Sequence, residues 1–209
     1  MMYISTELLA YNNPACLGHP GHSSTWAFSW RVRKLLLESL GENSAEMIPP
    51  AEGDGYAMGL GPLNNGSIKV TNIPSRDYSE YLMTTVLFHL GSIYHLFDKE
   101  DFRNKLVVIY DNKAAGEGIP TQSEPLLSYL RFLLVIAIGK LLLGRGATEL
   151  GPPGAGDFLQ VMARLPDLST MYRYQVISIE ILCLISLYLQ AADMRSVAYN
   201  FVSARSFYL

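Results

Sequence analysis

Two runs of this sequence, residues 130–143 and 176–189, are too apolar to lie in water and too short and charged to lie in lipid. The first carries Arg131 and Lys140, the second Glu180. A bilayer crossing needs roughly 20 predominantly apolar residues, and both runs fall short. Each therefore reads as a helix covered on most sides by other protein, because a helix apolar all round must be buried. No stretch alternates apolar and polar residues as a half-buried strand does. The chain is read as all-α, an array of antiparallel helix pairs joined by long loops.

A core of that kind is affordable to this chain. Of its 209 residues 49% are hydrophobic and 17% charged, a globular composition. The length suits one large domain or a piece of a larger one. The formal net charge of −3 argues against nucleic acid as a partner, since a chain that grips phosphates needs a basic face. The one basic cluster is Arg31-Val32-Arg33-Lys34. Direct DNA contact by this chain is not expected. Cys16 and Cys183 stand far apart, which suits a reducing compartment and leaves no cysteine-based zinc site. Cys183, inside an apolar run, reads as a small core residue. Residues 1–10 lack the basic start and apolar core of a secretory signal, and no membrane association is expected.

Along the chain, residues 1–22 read as an irregular N-terminal segment and 23–209 as one helical domain with a flexible loop at about 42–72. Ser23 or Ser24 can cap a first helix that ends at Gly41. Pro49-Pro50 and Asn64-Asn65-Gly66 mark the loop. A second helix is expected over 77–96, with Asp77 and Glu80 at capping-box spacing. Its face would be Tyr78, Tyr81, Leu82, Thr85, Phe88 and His89. A third helix starts at Asp98 or Asp101 and reaches about Tyr110. Ser123 caps a long helix to Leu143, with Pro125 tolerated in its first turn. Shorter helices follow over 158–165, 172–190 and 193–208. No repeat of fixed period is present.

The residues that could carry chemistry read more simply as structure. His19 and His22 sit in a Gly/Pro turn with no second ligand pair at metal spacing. Gly53, Asp54 and Gly55 follow no strand and lack the Gly-Lys-Ser/Thr of a phosphate loop. Ser23-Ser24-Thr25 lies in no nucleophile elbow. His89 and His95, six apart, do not share a helix face as paired ligands would, and read as hydrogen-bonded structural histidines. Glu180 is costly on an apolar helix unless it reaches solvent or pairs, with Arg173 or Arg195 as candidates. If the chain binds a small molecule at all, the candidate pocket is Trp26, Phe88, His89, His95 and Phe97. No catalytic residue, metal site or cofactor is assigned.

Three blocks carry a resemblance. The most specific is residues 73–102, IPSRDYSEYLMTTVLFHLGSIYHLFDKEDF, a Pro-Ser-Arg-Asp-Tyr lead-in, a helix, a Tyr-His-Leu-Phe-Asp corner and a new helix start. The second is residues 18–32, GHPGHSSTWAFSWRV. The third, residues 165–208, has Ser178-Ile179-Glu180 before a leucine-rich helix ending Tyr188-Leu189-Gln190, then Ala198-Tyr199 in the last helix. In order and rough spacing these resemble the regulatory middle homology region of fungal transcription factors of the zinc binuclear cluster type. The resemblance implies a nuclear regulator of RNA polymerase II transcription, acting through protein partners or other domains of the same factor. It also implies a zinc and DNA-binding six-cysteine cluster, which is absent from this sequence together with its basic linker. The chain is expected to be the front part of such a region, with an apolar face left open at its C-terminal end and a tendency to self-associate. The competing expectation is a small-molecule receptor or enzyme using the aromatic and histidine pocket above.

Overall fold

The computed structural model describes residues 31–32, 35–40, 73–144 and 151–205. The chain divides into two compact units, residues 1–51 and 52–209. In the first, residues 35–39 are helical, with Leu35, Leu36 and Leu40 exposed. The expected cap at Ser23 or Ser24 and the expected loop at 42–72 lie outside the described residues.

The described part of the second unit is all-α, with seven helices and no strand among the described residues. They are α1 (Arg76–Leu90), α2 (Lys99–Ala114), α3 (Ser123–Leu142), α4 (Ala155–Arg164), α5 (Leu168–Arg173), α6 (Gln175–Ala191) and α7 (Arg195–Arg205). The two most apolar runs became α3 and α6, and they pack on each other. Helix α3 is the hub: α1, α2, α4 and α6 all contact it. That is why every residue from Leu127 to Gly139 is buried. This corrects the expectation from the 130–143 run: the helix starts earlier, at Ser123, and over its 20 residues is long and apolar enough to cross a membrane, yet 72% of its most apolar window is buried within the protein.

Helix α1 corrects the expected face. The buried residues are Ser79, Leu82, Met83 and Val86, whereas Tyr78, Tyr81, Phe88 and His89 are exposed. The reason lies at Gly139 of α3. A Cβ placed there would stand 2.8 Å from the Leu82 Cβ, so α1 seats its slim aliphatic side against a gap in α3 that bulky aromatic rings would not fit. The cap is also shifted: Ser75, not Asp77, accepts from the Tyr78 N–H, at 3.4 Å. The helix stops at Leu90 instead of running to Leu96. Leu96 and Phe97 are then buried at the corner, and Asp98 caps α2 by accepting from the Asp101 N–H at 2.7 Å.

The first two helices are also tied by polar contacts. The Tyr110 hydroxyl donates to the Pro74 carbonyl at 2.7 Å. Having spent its hydrogen there, it accepts from Ser79 Oγ at 2.8 Å. Lys113 Nζ reaches the Ile73 carbonyl at 3.2 Å.

Toward the C-terminus, α4 starts at Ala155 and is pinned against α3 by Gly154. That residue is left-handed (φ 84°), and a Cβ on it would lie 2.4 Å from the Ala137 carbonyl oxygen. Phe158 of α4 stacks on Tyr188 of α6 with centroids 4.4 Å apart, and the Tyr188 hydroxyl donates to the Pro153 carbonyl. The helix expected over 172–190 is α6, Gln175–Ala191, and the unexpected short α5 precedes it. Asp167 caps the short α5 through the Thr170 N–H at 2.8 Å, and Tyr174 (φ −118°, ψ 61°) breaks the chain before α6. Asp193, at φ 60°, makes the turn into α7. Cys183 is half-buried and free.

Candidate functional site

One cluster of charged residues in the core is centred on Arg131. Arg131 sits in the middle of α3 with 3% of its surface exposed. It is held by two carboxylates from different helices: Nη2 donates to Asp101 of α2 and Nη1 to Glu180 of α6, each at 2.6 Å. Its guanidinium lies 5.9 Å from the centre of the Phe102 ring. Two short charge-assisted bonds and an aromatic face offset part of the cost of stripping water from the cation. Glu180 thus pairs with Arg131, and not with Arg173 or Arg195 as the sequence suggested. The partner lies 49 positions away and no local spacing could reveal it.

An open cleft of about 480 Å³ lies over this triad. Helical spacing builds its walls: Glu124, Ser128 and Arg131 form one stripe of α3, and Asp98, Asp101 and Lys105 line it from α2 and its cap. The third wall is the first turn of α6, from Tyr174 to Ile177, together with Glu180. Lys105 and Glu124 form a solvent-exposed pair at 3.5 Å. On the same stripe of α3, Ser128 Oγ and Arg131 Nε are buried without a hydrogen-bond partner.

A second charged pair lies elsewhere on α3. Lys140 Nζ contacts the buried Asp157 of α4 at 2.6 Å. Nearby, burial pushes the Tyr129 hydroxyl above its ordinary pKa, with Arg164 opposing and Asp157 reinforcing that shift. A smaller groove of about 260 Å³ runs between α6 and α7 past Gln190, Arg195 and Tyr199.

Of the residues proposed from sequence as a pocket, the four that are described, Phe88, His89, His95 and Phe97, line neither cleft. Phe88 is 79% exposed and meets His89 edge-on at 5.2 Å, while His89 and His95 are exposed. Phe97 is a core residue, 2% exposed, packed on Phe102 at 4.9 Å. Trp26 lies outside the described residues, as do His19, His22 and Cys16. Among the described residues no group of three or more His, Cys, Asp or Glu side chains is arranged to hold a metal ion. The cleft at Arg131 went unrecognised in the sequence. Its signal there was the charge at position 131, which weighed only against a membrane span.

Fold and cleft together define an all-helical protein organised around one buried, doubly paired arginine. Comparison of the chain with protein-family models, with curated proteins and with solved structures finds no match.

Proposed function

We propose that this chain belongs to the regulatory middle homology region of a fungal transcription factor of the zinc binuclear cluster type. In this reading it works in the nucleus and modulates RNA polymerase II transcription through other domains of the same factor or through protein partners. It has no catalytic step and no cofactor of its own, and the zinc and DNA-binding cluster is supplied outside it.

The observation that carries this reading is the behaviour of residues 73–102. The string that makes the resemblance specific is one structural unit: lead-in Pro74, cap Ser75, helix α1, buried corner Leu96-Phe97, cap Asp98. Support for the resemblance comes from Ser75 and Asp98, which cap helices, and from Leu96 and Phe97, which are buried. A role in contacts is supported by α1, which turns Tyr78, Tyr81 and Phe88 outward, with Tyr78 and Tyr81 stacked at 6.2 Å. Exposed aromatic clusters of this sort anchor protein interfaces. Tyr199 and Val202, exposed on α7, offer a second apolar surface through which the chain self-associates.

The reading is tested by fusing the chain between a heterologous DNA-binding domain and an activation domain in a fungal reporter strain. Reporter output should change several-fold, and Phe88→Asp should reverse much of that change. An output indifferent to the insert would remove the regulatory role. Independently, the native transcript should encode a six-cysteine cluster and a basic linker upstream. Light scattering should detect association that Tyr199→Lys weakens.

A further inference from the structure

We infer that Arg131 determines topology: its charge, set in the middle of α3, holds that helix to the protein core and out of a lipid bilayer. The inference does not rest on the regulatory reading above. It starts from a helix that either surrounding would accept. Helix α3 has 20 residues and is long and apolar enough to span a membrane. The other apolar helix, α6, has 17 and falls short of the roughly 20 that a span needs. Of the charges on α3, Glu124 stands in the first turn and Lys140 in the last. Near the ends of a span a long side chain bends back to the interface. Arg131 is the one charge in the interior of the helix, too deep for that escape.

Stability alone does not account for an arginine at this position. Well-packed apolar side chains often replace a buried ion pair with no loss of stability. This arginine is also incompletely satisfied, because its Nε has no hydrogen-bond partner among the described residues. What the charge supplies is a difference between two destinations. In the folded protein Asp101 and Glu180 meet the guanidinium, each at 2.6 Å. Both carboxylates belong to other helices, so α3 entering lipid alone leaves them behind. An arginine at the centre of a spanning helix lowers insertion about a hundredfold, whereas one Leu, Ile, Phe or Val raises it only about twofold. Several apolar residues are therefore needed to offset this one charge. The paired arginine is tolerated in the core and penalised in the bilayer, and only that difference can bias the choice.

The test expresses the full chain in yeast cells and measures the share that floats with carbonate-washed membranes, a readout that leaves aggregates behind. The wild-type chain should be extracted. Arg131→Leu should raise the retained share about tenfold or more. Two further variants separate a lost barrier from simple misfolding. Arg131→Lys keeps the charge but not the planar fork that reaches two carboxylates, and it should be extracted like the wild type. Lys140→Leu takes a cation from Asp157, a carboxylate more deeply buried than either partner of Arg131. It removes charge only from the end of the helix, so it too should be extracted. Retention of Arg131→Leu no greater than that of the wild type overturns the inference. So does retention of Arg131→Lys or Lys140→Leu to the same degree as Arg131→Leu.

Discussion

At Arg131 the protein places a full charge in the helix that is otherwise its most apolar, and two neighbouring helices neutralise it. Removing the cation leaves Glu180, whose side chain is 19% exposed, without a partner, whereas Asp101, 46% exposed, recovers water. Arg131→Ala should therefore cost about 3 kcal/mol, the lower end for breaking a buried pair. An Arg131→Met/Glu180→Leu double variant should recover most of that in urea unfolding. A double variant no more stable than the single would show that packing, not the stranded charge, dominates. Two tyrosines make a second prediction at this scale. Burial raises the Tyr110 and Tyr129 hydroxyls above the ordinary 10.0, with the Ser79 hydrogen bond opposing at Tyr110. A raised folded value means the stability they contribute is whole below pH 10 and is lost as pH climbs through the folded values. Ultraviolet titration should show at least two late-ionising tyrosines, and on the alkaline side stability should fall above about pH 10. Asp167 works in the opposite direction. The backbone of Thr170 holds its carboxylate below the ordinary 3.8, so that cap is present at neutral pH and is lost on acidification.

Among the elements, contact between α1 and α3 depends on what is missing from Gly139. Alanine is the better helix former by about 1 kcal/mol, yet its methyl would lie 2.8 Å from the Leu82 Cβ. Gly139→Ala should lower stability by about 1–3 kcal/mol, the cost of overpacking. Gly118→Ala, in a loop where a Cβ meets nothing within 4 Å, is a control for the added methyl alone, without the helix-propensity gain. Caps give a graded prediction. Asp98→Ala removes a 2.7 Å bond and should cost about 1–2 kcal/mol, while Ser75→Ala removes one of 3.4 Å and should cost about 0.5 kcal/mol. Equal losses would mean that cap geometry is irrelevant here. These elements also mark what was legible in the sequence. Apolar length announced α3 and α6, and Asp98 announced α2, because both signals are local. The buried side of α1 was not legible. Periodicity marks Tyr78, Tyr81 and Phe88 as a face as readily as Leu82, Met83 and Val86, and the choice was made by Gly139, on another helix. For the same reason neither the Arg131–Glu180 pair nor the cleft above it could be read from spacing.

For the whole molecule, the central position of α3 has a consequence for how the chain is made. During synthesis α3 emerges well before α6, the helix with which it shares its most extensive packing. Until the 145–150 segment, α4, α5 and α6 have followed, a helix that passes for a membrane span by length and composition stands uncovered in water. Such a segment is what chaperones and targeting factors retain. A nascent chain arrested before Gln175 should therefore be captured by chaperones or aggregate, and one arrested after Ala191 should be released far more readily. Equal solubility of the two would show that α1, α2 and α4 shelter α3 on their own. The helix that organises the finished protein is thus its point of greatest exposure to misdirection at birth.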